Sequence, residues 1–169
     1  MAALAVLSAC VSDPDEKAPP CPNAYLRPDG ALLSRYDGRG TDLTDLVLSA
    51  RMLDIKGTCA GKMGGRTVKA HAHVEMVMTR GPAMQGRTVS VPYNVAIVHQ
   101  GQVLQKQQLV ANVTFPPNVD TVQVRGDEVN FAIPTPNGIS AANYTIYFVF
   151  ELTPAELEAN QRQATPSQP

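Results

Sequence analysis

The amino-acid sequence predicts an all-β domain, an antiparallel sandwich of about seven strands that is followed by a short C-terminal helix. Apolar residues recur at every second position through most of residues 43–152, which is the spacing of a strand with one buried and one solvent-facing side. The 14 prolines and 12 glycines supply frequent turns between such segments. No stretch of this region keeps the 3.6-residue period of an amphipathic helix long enough to compete with the strand prediction.

The first three strands are predicted at residues 43–57, 67–80 and 87–99. The second of these collects Val68, Ala70, Ala72, Val74, Met76 and Met78 on one side. In the third, Pro92 has no N–H to donate, which predicts that this strand lies at a sheet edge or carries a bulge there. The residues from His99 to Gln102 predict a hairpin turn, because Gly101 accepts the positive φ that tight hairpins require.

Four further strands are predicted at residues 103–115, 121–124, 128–133 and 143–152. The Gln-rich first half of residues 103–115 is expected to be solvated on both faces. Arg125-Gly126-Asp127 matches a cell-adhesion tripeptide, but a glycine between charged residues is more typical of a hairpin tip and predicts a turn here. Short strands with turns between them are the pattern of a sandwich that is immunoglobulin-like in the broad sense.

The C-terminal segment, residues 153–169, carries one helical signal. Thr153 is a good N-cap residue, Pro154 fits the first helical position and Glu156 completes a capping box. We therefore predict a short helix followed by a disordered tail.

The N-terminal residues 1–9 are apolar and end in small residues before Cys10, as at the processing site of a signal peptide. Leu7-Ser8-Ala9-Cys10 resembles the bacterial lipobox, Leu-(Ala/Ser)-(Gly/Ala)-Cys, at all four positions. The resemblance implies that Cys10 is lipidated and becomes the first mature residue. Acyl chains would then hold the protein on a membrane.

Two features of this segment refine the prediction. Val11 follows the cysteine where inner-membrane lipoproteins often have Asp, which favours an outer-membrane protein that faces the periplasm. No Lys or Arg precedes the apolar residues, which predicts that the true start lies upstream. The alternative is an unmodified, buried Cys10 at an ordinary apolar N-terminus.

Residues 10–22 are polar and rich in proline, so we expect a flexible linker from the lipidated cysteine to a sandwich domain at residues 23–152. Export would place Cys21 and Cys59 in an oxidising compartment, where an even pair normally forms a disulfide. The alternative, two free thiols in a metal or redox site, lacks the Cys-x-x-Cys spacing and a nearby histidine.

Composition weighs against several functions. The formal net charge is −1, and Lys and Arg form no basic stripe, so we expect no nucleic-acid partner. The Gly-rich residues 61–66 lack the spacing of a phosphate-binding loop. There is no Gly-x-Ser-x-Gly motif and only 3 histidines, which disfavours a hydrolase and predicts a non-enzymatic protein without a cofactor or small-molecule substrate.

The sharpest candidate for chemistry is a copper or zinc site. His71, His73 and Glu75 alternate along one predicted strand face, and imidazole suits both metals. Same-face neighbours on a strand lie nearly 7 Å apart, so a fourth ligand would have to come from another strand. The same face carries Lys69, and an exposed polar face is what a half-buried strand shows in any case, so an ordinary solvated surface is the favoured interpretation.

The stretch from Cys21 to Leu152 resembles a group of small proteobacterial envelope lipoproteins of unassigned function. This resemblance implies an envelope location and is in line with the sandwich, but it assigns no catalytic residue. Two functional hypotheses follow. The first is a lipid-anchored protein-binding or structural module whose partner is another envelope protein; the second is a periplasmic metal-binding protein that uses His71 and His73.

Overall fold

The computed structural model describes residues 19–164, which form a two-sheet β-sandwich with one C-terminal α-helix. The all-β fold class and the short helix are thereby confirmed. The predicted signal segment, the lipidation site Cys10 and the predicted disordered tail after the helix lie outside the described residues. Within the described part of the chain, no helix is both long and apolar enough to cross a bilayer.

The sandwich contains nine strands, of which seven match the predicted segments and two short ones precede them. Their bounds are β1 Asn23–Leu26, β2 Leu32–Tyr36, β3 Leu46–Ala60, β4 Thr67–Arg80, β5 Thr88–His99, β6 Gln102–Thr114, β7 Thr121–Arg125, β8 Val129–Pro134 and β9 Tyr144–Phe150, followed by helix α1 Pro154–Ala164. One sheet has the order β1-β9-β5-β6. The other has the order β2-β3-β4-β7, and β8 also pairs with β4. The sandwich is not antiparallel throughout, because β1 runs parallel to β9.

The core lies between the two sheets and consists of the inward side chains of alternating strands. Along β4 every second residue from Val68 to Met78 is buried, as the period of two predicted. Tyr93 and Phe148 from the opposite sheet are fully buried against them. Burial of each such large side chain contributes about 1.5–3 kcal/mol, so this interdigitated layer is what fixes the strand register.

The prediction that the strand containing Pro92 lies at a sheet edge or carries a bulge at Pro92 is wrong. This strand, β5, is central and pairs with β6 on one side and β9 on the other, and its register shift lies between Ile97 and Val98. The carbonyl oxygen of Pro92 accepts from the N–H of Glu151 at 3.0 Å, so the proline nitrogen also faces the β9 side. Because β9 ends at Phe150, the missing N–H costs no regular ladder hydrogen bond.

The prediction of a hairpin at Arg125-Gly126-Asp127 is also wrong. β7 and β8 do not pair with each other but follow one another along the same side of β4. The N–H of Gly126 donates to the carbonyl of Val74 at 2.9 Å, so the tripeptide is an interruption within one edge. A Cβ at Gly126 would lie 2.7 Å from the Tyr93 hydroxyl oxygen, which is why the interruption requires glycine. Burial raises the pKa of Tyr93 beneath it.

Two local predictions are confirmed. The β5–β6 hairpin turns through Gln100 and Gly101, whose φ values of 50° and 79° are those of a two-residue hairpin with positive φ at both positions. At the start of α1 the N–H of Thr153 donates to Glu156 at 2.7 Å, and the N–H of Glu156 donates to the Thr153 hydroxyl at 3.3 Å. This reciprocal pair is the predicted capping box.

The disulfide between Cys21 and Cys59 is present, with a Cα–Cα distance of 5.7 Å. It joins the residues just before β1 to the end of β3, and thus one sheet to the other. The alternative of two free thiols in a metal or redox site is thereby excluded for this pair.

Candidate functional site

The residues predicted to bind metal share one face of β4, in the interior of the second sheet. His71, His73 and Glu75 are each half-buried on the side that faces away from the core. Their cross-strand neighbours include Lys56, opposite His73 on β3, and Arg125, opposite Glu75 on β7. The predicted common face is therefore confirmed, but it is a face of mixed charge.

The contacts of the two histidines explain what this face does in the fold. His71 Nδ1 is hydrogen-bonded to Asn130 Oδ1 and lies 3.7 Å from a Glu128 carboxylate oxygen. His73 Nδ1 lies 3.4 Å from a guanidinium nitrogen of Arg125. A fixed cation next to a ligating nitrogen repels a metal ion.

Among the described residues, no group of three or more His, Cys, Asp or Glu side chains is arranged to hold a metal ion. The geometry thus favours a hydrogen-bonded polar surface, and metal binding through His71, His73 and Glu75 stays a prediction.

A second kind of site is formed by the edges of the sheets, where strands leave N–H and C=O groups without a neighbouring strand. The edge at β2 is covered by α1. The side-chain amide of Asn160, which is buried, donates to the carbonyls of Leu32 at 2.8 Å and Asp29 at 2.9 Å. Arg35 on β2 also lies 3.6 Å from Glu156 on the helix. The helix therefore covers part of the β2 edge.

The turn before β2 is held by its own ion pair. Arg27 donates to the Asp29 carboxylate at 2.9 Å, and this hydrogen bond lowers the pKa of Asp29. Asp29 thus uses its side chain toward Arg27 and its backbone carbonyl toward Asn160.

A groove of about 580 Å³ runs beside this contact and is lined by Ser34, Tyr36, Thr41, Ala155, Glu156, Ala159, Asn160, Arg162 and Gln163. Its charged side chains are already engaged. Glu156 closes the capping box and faces Arg35, while Arg162 pairs with Glu158 on the exposed helix surface. The groove is therefore best understood as the seam between helix and sheet.

Two other edges are short or interrupted. β1 has 4 residues and begins two residues after Cys21, which the disulfide ties to β3. The edge formed by β7 and β8 is broken at Gly126. Short strands and bulges both make an edge a poor template for another strand.

The remaining edge, at β6, is different. It is 13 residues long, and no other described strand pairs with its outer side. Residues 102–108 are exposed on both faces, as predicted for the Gln-rich half. Its only charged side chain is Lys106, whereas Val103, Leu104 and Val110 are exposed apolar residues with 61%, 51% and 43% of their surface accessible.

The orientation of the backbone along β6 follows from its pairing with β5. Since Pro92 directs its carbonyl toward β9, its partner Val110 directs its own N–H and C=O away from β5. The alternation of an antiparallel ladder then places the outward groups at Lys106, Gln108, Val110 and Asn112. Four consecutive outward positions form a continuous row that a further strand could use. We call this row, with its exposed side chains, the β6 edge.

Side chains on the solvent-facing side of the sheet connect β6 to the neighbouring strands. Ser90 Oγ donates to Asn112 Oδ1 at 2.6 Å, and Gln108 is hydrogen-bonded to Glu151 two strands away. These contacts align β6 and leave its free edge without a neighbouring strand in the described part of the chain.

Comparisons with protein-family models, with curated proteins and with solved structures found no match to this chain. The functional conclusion therefore depends on the residues and the geometry described above.

Proposed function

We propose that this protein is a lipid-anchored lipoprotein of the cell envelope, facing the periplasm from the outer membrane. In this proposal it acts as a non-enzymatic protein-binding or structural module. The observation that carries the proposal is the β6 edge, which is long, nearly uncharged and without a neighbour among the described residues. Natural sheets normally protect such an edge, because an exposed edge is a ready template for pairing with another chain, and this property supports the proposed binding role.

Recognition would occur by strand addition. A partner segment in extended conformation would pair with the outward backbone groups of the β6 edge, at about 0.5–1.5 kcal/mol for each hydrogen bond. Exposed Val103, Leu104 and Val110 would add apolar contacts on the two faces of the new strand. Backbone pairing would supply affinity, and these side chains would determine which partner sequences are preferred.

The envelope location is supported by two features of the sequence and fold. Leu7-Ser8-Ala9-Cys10 matches the lipobox. We therefore propose Cys10 as the attachment point of the lipid. The Cys21–Cys59 disulfide is of the kind that persists in oxidising compartments such as the periplasm. A tether at Cys10 would keep the sandwich near the membrane surface while leaving β6 accessible.

In-cell photo-crosslinking tests the binding surface. A photoreactive amino acid in place of Val110 should crosslink to another polypeptide in the envelope, and the same substitution at Val119 should not. Val119 is a matched control, because it is a valine in a loop and is similarly exposed, at 38% against 43%. Equal crosslinking at both positions, or none at Val110, would contradict binding at the β6 edge.

The anchor is tested separately. Cys10→Ser should abolish acylation, seen by mass spectrometry of the N-terminal peptide, and should release the protein from the membrane fraction. A bare thiol at Cys10 in the wild-type protein would refute the lipoprotein assignment without affecting the β6 edge.

A further inference from the structure

We infer that the strand added to the β6 edge belongs to a second copy of this chain, whose β6 pairs with the first in antiparallel orientation about a two-fold axis. This inference rests on the proposed function, since it names the partner of the same edge. The two four-stranded sheets would then continue into each other through their β6 strands.

Charge is the first reason. In a two-fold interface the same surface of both copies is in contact, so each charged side chain faces a residue from that same surface. β6 carries a single charge in 13 residues, and only the register that sets Lys106 opposite itself brings like charges together. The β2 and β7 edges each contain an arginine within 5 residues and are either covered or interrupted.

The distribution of side chains selects a register. In the pairing of two β6 strands, residues with outward backbone groups must lie opposite one another. Only every second register of the two strands meets this condition. With the two-fold axis at Val110, the two valines meet at the centre, Gln108 faces Asn112, and Lys106 faces Thr114 at each end. This arrangement is an apolar centre with amide pairs and a charged rim.

Neighbouring registers are less favourable. An axis at Gln108 would set Val110 opposite Lys106 on both sides. An axis at Leu109 would set Val110 opposite Gln108. Each of these places the exposed valine against a polar or charged side chain, so the register centred on Val110 is the self-complementary one.

Attachment to a membrane strengthens the case for a second copy. If Cys10 is acylated, all copies share one surface, which raises their effective concentration without any new contact. A strand interface that is weak between free proteins is then sufficient to form the dimer on the membrane.

Disulfide trapping in membranes of a bacterial host tests both the partner and the register, with the full-length chain. In the Val110→Cys variant, hydrogen-bonded opposite residues would have a Cα–Cα distance of about 5.5 Å, within the range of a disulfide. We expect at least a tenfold excess of covalent dimer over the matched Val119→Cys variant. Coexpressed Gln108→Cys and Asn112→Cys chains should form a mixed disulfide in preference to either homodimer.

The outcomes separate the inference from the proposed function. Dimers trapped at residue 110 support the second copy. If Val110→Cys forms no dimer while the photoreactive group at the same position captures a different envelope protein, the self-pairing is wrong and the β6 binding edge stands. If neither experiment shows a contact at residue 110, both fail. Preferential self-crosslinking of Gln108→Cys would overturn the register.

Discussion

The β2 and β6 strands both lie at sheet edges, where backbone N–H and C=O groups lack a neighbouring strand, but the two edges differ in how these groups are covered. At β2 the free carbonyl of Leu32 is satisfied by the buried amide of Asn160, and α1 covers the strand. At β6 a strand more than twice as long carries no such cover among the described residues. Within residues 19–164, a helix covers part of the β2 edge and no element covers β6, which favours a binding role for the β6 edge.

The largest effect is expected from the disulfide that secures the β1 edge. Replacing Cys21 and Cys59 together with Ser should lower the free energy of unfolding by about 4 kcal/mol, because the bridge closes a loop with a sequence separation of 38. Urea unfolding of wild type with and without reductant should reproduce the shift. A loss below about 1 kcal/mol would mean that packing alone holds β1.

The cover of the β2 edge is tested by Asn160→Ala. The substitution removes two hydrogen bonds and leaves the carbonyls of Asp29 and Leu32 unpaired, which should cost about 1–3 kcal/mol in thermal or urea unfolding. Glu158→Ala is the control on the same helix, because its contact with Arg162 is exposed and should be worth less than about 0.5 kcal/mol. Equal effects of the two variants would contradict the role of α1 as an edge cover.

Acidification should act on the same edge with a smaller effect. The hydrogen bond from Arg27 lowers the pKa of Asp29 in the folded state below its usual value near 3.8, so the unfolded chain binds more protons at low pH. The associated stability is present above about pH 4 and is lost as the pH falls through the lowered pKa. Asp29→Asn should flatten this part of the pH dependence. An unchanged profile would show that the ion pair does not contribute.

The smallest effect on stability is expected at the open edge itself. Val110→Lys places a charge on an exposed position and should change the free energy of unfolding by less than about 0.5 kcal/mol. The same variant should abolish the pairing of two β6 strands, because two lysines would meet at the centre of the interface. A Val110→Lys protein that still pairs with a second copy would exclude the register centred on Val110.

The sequence predicted what depends on local pattern and turn chemistry. The alternation in β4, the β5–β6 turn at Gly101 and the capping box from Thr153 to Glu156 are all decided by residues close in the chain. The short strand β1 escaped prediction because it is only 4 residues long, and 3 of these are exposed, so it shows no alternation.

Long-range pairing was beyond local reasoning. Pro92 suggested an edge, but the position of β5 is set by β9, which comes some 50 residues later. Gly126 suggested a hairpin, yet the 14-residue β4 is long enough to pair with both flanking strands in turn. Whether a strand lies at an open edge depends on how all the other strands pair. The residues of β6 alone therefore could not predict that its edge is open.

Residue-resolved amide hydrogen exchange of the full chain tests the open edge most directly. In dilute protein the outward N–H groups of Lys106, Gln108 and Val110 should exchange rapidly, while those of Gln107 and Leu109, which face β5, stay protected. Concentrating the protein on membranes should then protect the outward set as well. Slow exchange of the outward groups already at the lowest concentration would contradict the open edge, and no gain of protection on membranes would contradict the pairing of two β6 strands.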